Sequence, residues 1–312
     1  MRRRRTTSLL AAAATTISLV LVSAPQAGAA PASETEIQAQ LYLAYAPVVY
    51  LAKGETRRPT NAGAFIQHAA LGWAHDSNCP NHQLAGLGTV NADWMGDGRY
   101  THHLDNALCS PTGGEYRSNQ GVRPYDFQGA EGMYLDLDPA YENMGSVRAE
   151  LYYDYQKGDH ITYWFFYAYN DGPLVQNHEG DWERISIKLS PTNQPLTVAY
   201  FSHDSSCVLS YPSVAKTGTH PHVYSAKGSH ASYPKGDETY PTQFPGVNDH
   251  TTKGGEIWAT YIRPIHDVKT MSWYGYGGAW GRVGHTTWTS GPQGPSAFKS
   301  PTPSSWTSPA CF

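Results

Sequence analysis

Short stretches in which apolar and polar residues alternate recur along most of the chain, whereas helical periodicity is weak. Residues 34–45 are the exception, because Ile37, Leu41 and Tyr45 fall on one face of a predicted helix. Residues 55–130 are rich in Gly, Asn, Asp, Pro and His and predict long loops around short strands. Strands are predicted at 46–52, 150–156, 160–169, 181–189, 196–203, 222–226 and 256–262. Many short strands without alternating helices favour an all-β fold, a single antiparallel β-sandwich of jelly-roll type with long loops.

The apolar strand at 163–169 leads, after a short loop, into Asn177-His178-Glu179-Gly180-Asp181-Trp182-Glu183-Arg184. Successive side chains of a strand point to opposite faces, so Asp181 and Glu183 project to the same side as Ile185. That side should face a core, which places two carboxylates on the inward face at the mouth of a sheet. Burying unpaired carboxylates is costly, and a cation, an Arg partner or a raised pKa would each relieve the cost. With His178 three residues upstream, a divalent-metal site is the leading hypothesis.

Several interpretations of these carboxylates remain open at the level of sequence. Oxygen ligands with one imidazole suit Ca²⁺, Mg²⁺ or Mn²⁺ better than Zn²⁺, and Ca²⁺ or Mg²⁺ is preferred. The close pair Asp181 and Glu183 could instead split its pKa values and act as acid and base. A structural network is the third interpretation, in which Arg184 pairs with a carboxylate and His178 caps a turn.

His230 follows a predicted strand in Gly228-Ser229-His230 and is a candidate general base or additional ligand. A turn histidine bonded to the backbone is the alternative. His203 and Asp204, at the end of another predicted strand, are weaker candidates for the same site. Ser229 beside His230 suggests a serine hydrolase, but the chain has no G-x-S-x-G elbow.

Two further groups are assigned mainly structural roles. His102 and His103 are adjacent, and on a strand they would point apart, so we do not expect them to bind a metal as a pair. A group of aromatic residues among glycines could stack on sugar rings, although such residues more often form core contacts. This group comprises Trp273, Tyr274, Tyr276 and Trp280.

The N-terminal 29 residues have the pattern of a signal peptide. Arg2 to Arg5 form a basic region, Leu9 to Val22 are mostly apolar, and Ala27-Gly28-Ala29 offers a small-residue cleavage site. We therefore expect a secreted protein with one domain at 30–312, exported by the general or the twin-arginine route. The sequence has no second long apolar segment after the leader, so we do not expect a transmembrane anchor. Without the four leader arginines the net charge falls from −4 to about −8, which disfavours a nucleic-acid partner.

The chain has four cysteines, and an even number in an exported protein predicts two disulfide bonds. Three pairings are possible, of which we favour Cys79–Cys109 and Cys207–Cys311. A zinc site is disfavoured because no two cysteines have C-x-x-C spacing.

Two segments that contain predicted strands have similar sequences. Pro47-Val48-Val49-Tyr50-Leu51-Ala52-Lys53-Gly54-Glu55 matches Pro221-His222-Val223-Tyr224-Ser225-Ala226-Lys227-Gly228-Ser229 at six of nine positions. Two equivalent strands of a pseudo-symmetric sandwich would explain the match, and chance similarity is the alternative.

These segments resemble the vacuolar protein sorting-associated protein 62 family. The resemblance is carried by the strand 163–169, by the block His178–Arg184 and by Val223 to Pro234, in the order of the family. Tyr45 to Tyr50, Trp280-Gly281-Arg282 and Gly291 to Pro295 extend it over most of the chain. The resemblance implies the fold more directly than an activity.

The same core is more distantly similar to the necrosis- and ethylene-inducing-like proteins, whose hallmark reads G-H-R-H-D-W-E. In that group the first His, the Asp and the Glu hold a divalent cation, which implies His178, Asp181 and Glu183 here. The resemblance also implies a further acidic ligand before the motif, for which Asp171 is the nearest candidate. Asn177, Glu179 and Gly180 depart from the hallmark, which leaves the ligand set intact but does not imply toxin activity.

Two functions are compatible with these observations. The first is a secreted, divalent-cation-dependent binder of extracellular glycan or lipid headgroups, with membrane activity as a further expectation. The second is a secreted metal-dependent hydrolase that uses Asp181, Glu183 and His230. The polar, aromatic-rich chain favours the binder. The sequence leaves the ligand and the oligomeric state undetermined.

Overall fold

The computed structural model describes residues 33–75, 80–103, 115–121, 131–172, 177–203, 205–242, 244–284, 286, 289–298 and 301–307. Within these ranges the α-helices are α1 (Glu34–Tyr45), α2 (Ala62–Gln67) and α3 (Ala92–Gly96). The first nine strands are β1 (Val48–Tyr50), β2 (Ala69–Ala74), β3 (His82–Ala85), β4 (Thr101–His103), β5 (Glu115–Arg117), β6 (Gly132–Leu137), β7 (Leu151–Gln156), β8 (His160–Asp171) and β9 (Asn177–Leu189). The others are β10 (Pro195–Ser202), β11 (Ser205–Ser210), β12 (Lys216–Thr217), β13 (His220–Ser225), β14 (Ser232–Tyr233), β15 (Glu238–Pro241), β16 (Asn248–Thr251), β17 (Ile257–Ala259) and β18 (Ile265–Asp267).

A six-stranded sheet in the order β11-β10-β9-β8-β7-β18 lies between two cores. On one face Ile185 and Ile187 of β9 pack with Val49 of β1 and Val223 of β13, in what we call the tyrosine-rich core. On the other face Trp182 packs with residues of β2, β6 and the 268–280 segment, in what we call the tryptophan-rich core. The fold is therefore all-β and sandwich-like, as predicted from the spacing of the strands.

Strand β8 lacks alternation because both of its faces are covered. Tyr163, Phe165 and Tyr167 belong to the tyrosine-rich core, whereas Trp164 and Phe166 belong to the tryptophan-rich core. A strand that is buried on both sides gains from apolar residues at every position. The β8–β9 hairpin is antiparallel over its whole length.

The two strands that echo each other in sequence are direct neighbours. β1 and β13 pair in parallel, with Val49 opposite Val223 and Tyr50 opposite Tyr224, so the matched positions stand side by side. The rings of Tyr50 and Tyr224 stack at 5.0 Å. This pair and β7–β18 are parallel, unlike the antiparallel pairing expected for the whole sandwich. Long connections separate both pairs in sequence, and parallel pairing requires such crossovers.

Most predicted elements are confirmed near their predicted bounds. Helix α1 covers the predicted residues 34–45, and a capping box between Ser33 and Glu36 fixes its start. Strand β9 begins four residues before the predicted 181, so His178 lies in the strand rather than in a turn. The predicted strand 256–262 is shorter and continues as a 3₁₀ turn from Thr260.

Other predictions fall outside the described residues. The leader at 1–29 is not described, nor are Cys79, Cys109 and Cys311, so the favoured disulfide pairing stays a prediction. Cys207 is buried in β11 against the tyrosine-rich core. None of the helices within the described ranges combines the length and the apolar character needed to cross a membrane.

Candidate functional site

Strand β9 carries Asp181 and Glu183 into the protein interior. Their Cα partners on β8 are Tyr167 and Phe165, which belong to the tyrosine-rich core. Asp181 is 5% exposed and Glu183 is 7% exposed. The inward orientation of both carboxylates, predicted from the period of the strand, is confirmed.

His230 reaches the same place from the loop after β13. Its ring is fully buried and lies parallel to the ring of Tyr167, with 3.9 Å between the ring centres and 2° between the planes. Nδ1 of His230 is 2.8 Å from Oδ2 of Asp181, so this nitrogen donates a hydrogen bond to the carboxylate. The structure thus joins two residues that lie 49 positions apart in the sequence.

The loop holds His230 in a conformation that few residues adopt. His230 has φ +56°, and its N–H donates to the carbonyl of Ala226 at 3.1 Å. Gly228 has φ +79°, and its carbonyl accepts the N–H of Asp171 at 2.9 Å. A Cβ atom at Gly228 would overlap the main-chain oxygen of Asp171. Glycine is therefore required both for the left-handed conformation and for the close approach of the β8 end.

Glu55 is a third buried carboxylate of the site, and sequence analysis did not identify it. Oε1 of Glu55 accepts the N–H groups of Thr56 and Arg57, and Oε2 accepts the N–H of Gly228 at 2.7 Å. Oε2 also lies 4.0 Å from Nε2 of His230. The imidazole therefore stands between the carboxylates of Asp181 and Glu55. Because Glu55 lies in a loop, no periodic pattern marked it.

Asp249 of β16 is the fourth buried carboxylate and was also missed. Its Oδ1 accepts the hydroxyl of Ser229 at 2.6 Å, and its Oδ2 accepts the hydroxyl of Tyr233 at 2.7 Å. Nε2 of His203 is 3.3 Å from Oδ2. Ser229 is thus a buried hydrogen-bond donor to Asp249, which opposes its assignment as a nucleophile. His203 belongs to this neighbouring network, whereas Asp204 lies outside the described residues.

The surroundings of Glu183 disfavour a negative charge, whereas those of Asp249 stabilise one. Burial raises the pKa of Glu183 well above its ordinary value, and the negative charge of Asp181 raises it further. Burial also opposes ionisation of Asp249, but the hydrogen bond and the charge of His203, with the hydroxyls of Ser229 and Tyr233, outweigh it. The pKa of Asp249 is therefore lower than its ordinary value. A cation or a proton would stabilise Glu183, whereas Asp249 is stabilised as an anion.

His178 lies at the partly exposed edge of the site. Its Nδ1 donates to the carbonyl of Gly180 at 2.8 Å, which leaves Nε2 as the nitrogen able to bind a cation. Burial lowers the pKa of the imidazole by more than nearby Asp181 raises it. A neutral imidazole is the form that binds metals.

Asp171 ends β8 at the surface, with its side chain 49% exposed. Its carboxylate lies 3.8 Å from Nε of Arg57 and 3.5 Å from Nδ2 of Asn177. Only its backbone contacts the loop of His230. Asp171 is therefore placed at the rim of the site, beside a positive charge.

Arg184 packs on the face of β9 opposite to the two carboxylates. Its guanidinium lies 3.9 Å from the ring centre of Phe201 and 4.4 Å from that of Phe298. The alternation of the strand directs this guanidinium away from the inward-facing carboxylates, but its positive charge still offsets part of the rise in the pKa of Glu183.

The donor set of the site suits a hard divalent cation. Asp181 and Glu183 supply carboxylate oxygens on one face, and His178 supplies a neutral imidazole at its edge. The ligand atoms of these three side chains do not all lie within 4.8 Å of one another. A cation would therefore have to draw them together by side-chain rotation.

The aromatic residues considered for sugar stacking are largely internal. Trp273, Tyr276 and Trp280 are at most 4% exposed and pack in the tryptophan-rich core. They cannot meet a ligand in this conformation. Elsewhere, a cleft of about 560 Å³ is lined by residues that include Asn61, Asn91 and Glu150, and none of its lining residues belongs to the carboxylate site.

Comparison with solved structures returns necrosis- and ethylene-inducing-like proteins, the group that the His178–Glu183 segment resembles. Necrosis and ethylene inducing protein 2 from the causal agent of cocoa's witches' broom disease is 13% identical over 73% of each chain, with a TM-score of 0.34. A structure described as NLPPya in complex with glucosamine is 12% identical over 78% of this chain and 79% of its own, with a TM-score of 0.33. NLPPya in complex with mannosamine is 12% identical over 75% and 76%, with a TM-score of 0.32. Similarity this distant does not identify a function.

Comparison with curated proteins gives no significant match. The family model described as vacuolar protein sorting-associated protein 62 matches residues 13–243, about three quarters of the sequence. The chain therefore belongs to the vacuolar protein sorting-associated protein 62 family.

Proposed function

We propose that this chain is a secreted protein that binds a divalent cation, Ca²⁺ or Mg²⁺, through Asp181, Glu183 and His178. The cation in turn supports binding of an extracellular glycan at the partly exposed rim near His178 and Asp171. Secretion in this proposal rests on the leader pattern of residues 1–29.

The observation that carries the proposal is the burial of Asp181 and Glu183 on one face of β9. The negative charge of Asp181 disfavours ionisation of Glu183 in this poorly hydrated environment. His230 compensates Asp181 through Nδ1, but the pKa of Glu183 stays well above its ordinary value. A divalent cation would stabilise both anions at once and is the simplest reason to keep two acids together here.

Accessibility favours a binder over a hydrolase. A general base must reach its substrate within hydrogen-bonding distance, but the ring of His230 is fully buried between Tyr167 and Asp181. A cation bound at the partly exposed edge marked by His178 needs no access to this buried ring, whereas a bond to be cleaved would have to reach it. In this proposal His230 positions Asp181 and takes no part in bond breaking.

The nature of the ligand follows from the charge and polarity of the rim. Arg57 lies there between Glu142 at 3.1 Å and Asp171 at 3.8 Å, and one positive group beside two negative ones disfavours an anionic ligand and suits a neutral, hydroxyl-rich one. A bound cation can coordinate vicinal hydroxyl groups through the same oxygen chemistry that binds carboxylates. Lipid headgroups, and membrane activity with them, are the competing outcome of the ligand test.

The cation is tested first, by thermal melts of metal-free protein titrated with Ca²⁺ or Mg²⁺. A cation that binds only the native state stabilises it by about 2.7 kcal/mol at a hundredfold excess over its Kd. Glu183→Gln should abolish this shift. Glu179→Gln makes the same change on the same strand but outside the site, and Trp182→Phe alters the opposite face, so both should keep the shift. If wild type ignores chelator and added cation alike, the cation site is wrong.

The ligand is tested second, on glycan arrays that include glucosamine and mannosamine and on liposomes of anionic and neutral lipids. Binding to glycans that is lost with chelator and in Glu183→Gln supports the proposal. Binding or leakage restricted to liposomes would replace the glycan with a lipid headgroup. Turnover of ester, phosphodiester or glycoside substrates that Asp181→Ala abolishes would establish the hydrolase instead.

A further inference from the structure

Three histidines from separate segments converge on the other side of the central sheet. His75 directly follows β2, His82 lies in β3 and His102 lies in β4. The ligand nitrogens of the three side chains all lie within 4.8 Å of one another. Among the described residues, this is the only group of three or more His, Cys, Asp or Glu side chains that meets this criterion.

The three rings are arranged edge to face around a common point. The ring centres of His75 and His82 are 4.7 Å apart, those of His82 and His102 are 5.3 Å apart, and those of His75 and His102 are 5.6 Å apart. Each pair of ring planes is inclined by 71–73°. Three imidazoles that bind one ion tetrahedrally at about 2.0–2.1 Å bring their nitrogens to about 3.4 Å from one another. Small side-chain rotations would close the difference.

The neighbours of this histidine cluster hold it in place. Trp73, which is 1% exposed, stacks on the ring of His102 at 4.6 Å. The N–H of His75 donates to Oδ1 of Asn81 at 3.2 Å, which joins the end of β2 to the residue before β3. His75 is buried, His102 is partly buried and His82 is exposed, so the cluster is open to solvent on the His82 side.

We propose that His75, His82 and His102 form a binding site for a transition-metal ion, with Zn²⁺ as its physiological occupant. Ligands that are all imidazole suit Zn²⁺, Cu²⁺ and Ni²⁺ and do not suit Ca²⁺ or Mg²⁺. Three protein ligands leave a fourth position for water or a small ligand on the exposed side. The site differs from the carboxylate site in ligand type and in position, because Trp73 packs with Trp182 in the tryptophan-rich core.

Metal binding at this site would have a structural consequence. β4 pairs only with β5 among the described strands, whereas β2 and β3 belong to the sheet β3-β2-β6. An ion held by His82 and His102 would connect these two sheets. Since such a site forms only in the folded chain, its binding free energy adds to the stability of this region.

The test uses untagged protein, titrated calorimetrically with ZnCl₂ and spectroscopically with CoCl₂. We expect one zinc equivalent for wild type, and visible d–d bands of tetrahedral strength for cobalt. His82→Gln removes one ligand from an exposed position, where the fold is least affected, and should weaken binding by at least tenfold. His250→Gln changes another exposed histidine and should bind as wild type does.

Two further variants make the result decisive. His102→Gln should also lose zinc while its circular dichroism spectrum matches that of wild type. Glu183→Gln should keep zinc, because the two sites are separate, even if the cation proposal for the carboxylate site fails. Unchanged zinc affinity in His82→Gln, or loss of zinc in Glu183→Gln alone, would overturn the histidine site.

Discussion

His230 donates a hydrogen bond from Nδ1 to Oδ2 of Asp181 across 2.8 Å, and both side chains are buried. This bond ties the loop after β13 to the middle of β9. It also gives Oδ2 of Asp181 a hydrogen-bond donor inside the protein. The pair therefore has a structural role that can be measured independently of any cation.

The first prediction concerns the energy of this pair, measured by urea unfolding in the presence of chelator. His230→Asn keeps a residue that tolerates positive φ but leaves the Asp181 carboxylate uncompensated, which should cost about 3–5 kcal/mol. Adding Asp181→Asn removes the stranded charge, so the double variant should be more stable than the sum of the single effects predicts. Strict additivity would mean that stacking on Tyr167, and not the hydrogen bond to Asp181, holds His230. Arg99→Ala, in an exposed ion pair with Asp97, should cost less than about 1 kcal/mol.

The second prediction concerns the glycine that lets the His230 loop approach β8. Gly228→Ala forces a Cβ against the main chain of Asp171 in addition to the strain of φ +79°. Gly218→Ala is the matched control, because Gly218 has φ +61° but nothing within 4 Å of the added Cβ. The control should cost about 1–2 kcal/mol, the penalty of the left-handed conformation alone. Gly228→Ala should cost clearly more and should also displace His230. Equal unfolding free energies for the two variants would contradict this account.

The third prediction concerns the charge on Asp249. Tyr233→Phe removes a hydroxyl that stabilises the anion, so the pKa of Asp249 should rise and the protein should lose about 1.5–3 kcal/mol at neutral pH. The stability that a lowered pKa contributes is present above the ordinary value of 3.8 and is lost as the pH falls through the folded-state value. The gap between wild type and Tyr233→Phe should therefore narrow in acid. Tyr240→Phe removes a hydroxyl that donates to the neutral carbonyl of Lys235, so its smaller cost should not depend on pH.

Periodicity was sufficient to predict the part of the site that lies on β9. The two-residue repeat placed Asp181 and Glu183 beside Ile185, and this orientation is confirmed. The resemblance to a family pointed to the segment that contains His230, and His230 does contact Asp181. Local patterns alone could not reveal this contact.

Glu55 and Asp249 could not be predicted because tertiary contacts alone bring them to the site. Glu55 follows β1 in a loop, and its partners are backbone N–H groups that carry no signature in sequence. The alignment of the echoing segments, however, set Glu55 against Ser229, and both residues do reach the site. The parallel β1–β13 pairing is the physical link, because equal positions in parallel, in-register strands emerge at the same edge of the sheet.

The histidine cluster could not be predicted from the spacing of residues in the sequence. The alternation of a strand disfavours a metal site made of His102 with His103, and this stays a prediction. His102 lies instead beside His75, which follows β2, and His82 of β3, and both are at least 20 residues away in sequence. Histidines with irregular spacing give no signal until the fold brings them together.

The last prediction concerns Glu179 of β9, whose side chain is 12% exposed and lies against Leu137 of β6 and Arg282. Oε2 accepts the N–H groups of Leu137 at 3.0 Å and Arg282 at 3.2 Å. Burial nevertheless dominates and raises the pKa of Glu179 to about 7 from an ordinary value of 4.5. Between these two values the folded chain holds a proton that the unfolded chain releases, so raising the pH through this window destabilises the fold.

We therefore expect wild type to lose about 3 kcal/mol of unfolding free energy to this group between pH 4.5 and pH 7.5. Glu179→Gln keeps an oxygen for the two N–H donors and removes the titration, so its stability should fall less over the same range. The measurement is a series of urea melts at half-unit pH intervals for both proteins. The difference between their free energies of unfolding is compared across pH, because the contribution of Glu183 is common to both proteins and cancels. Glu238→Gln, an exposed carboxylate on β15, should follow wild type at every pH. A constant difference between wild type and Glu179→Gln would show that the main-chain donors and Arg282 already keep Glu179 ionised, contrary to the dominance of burial.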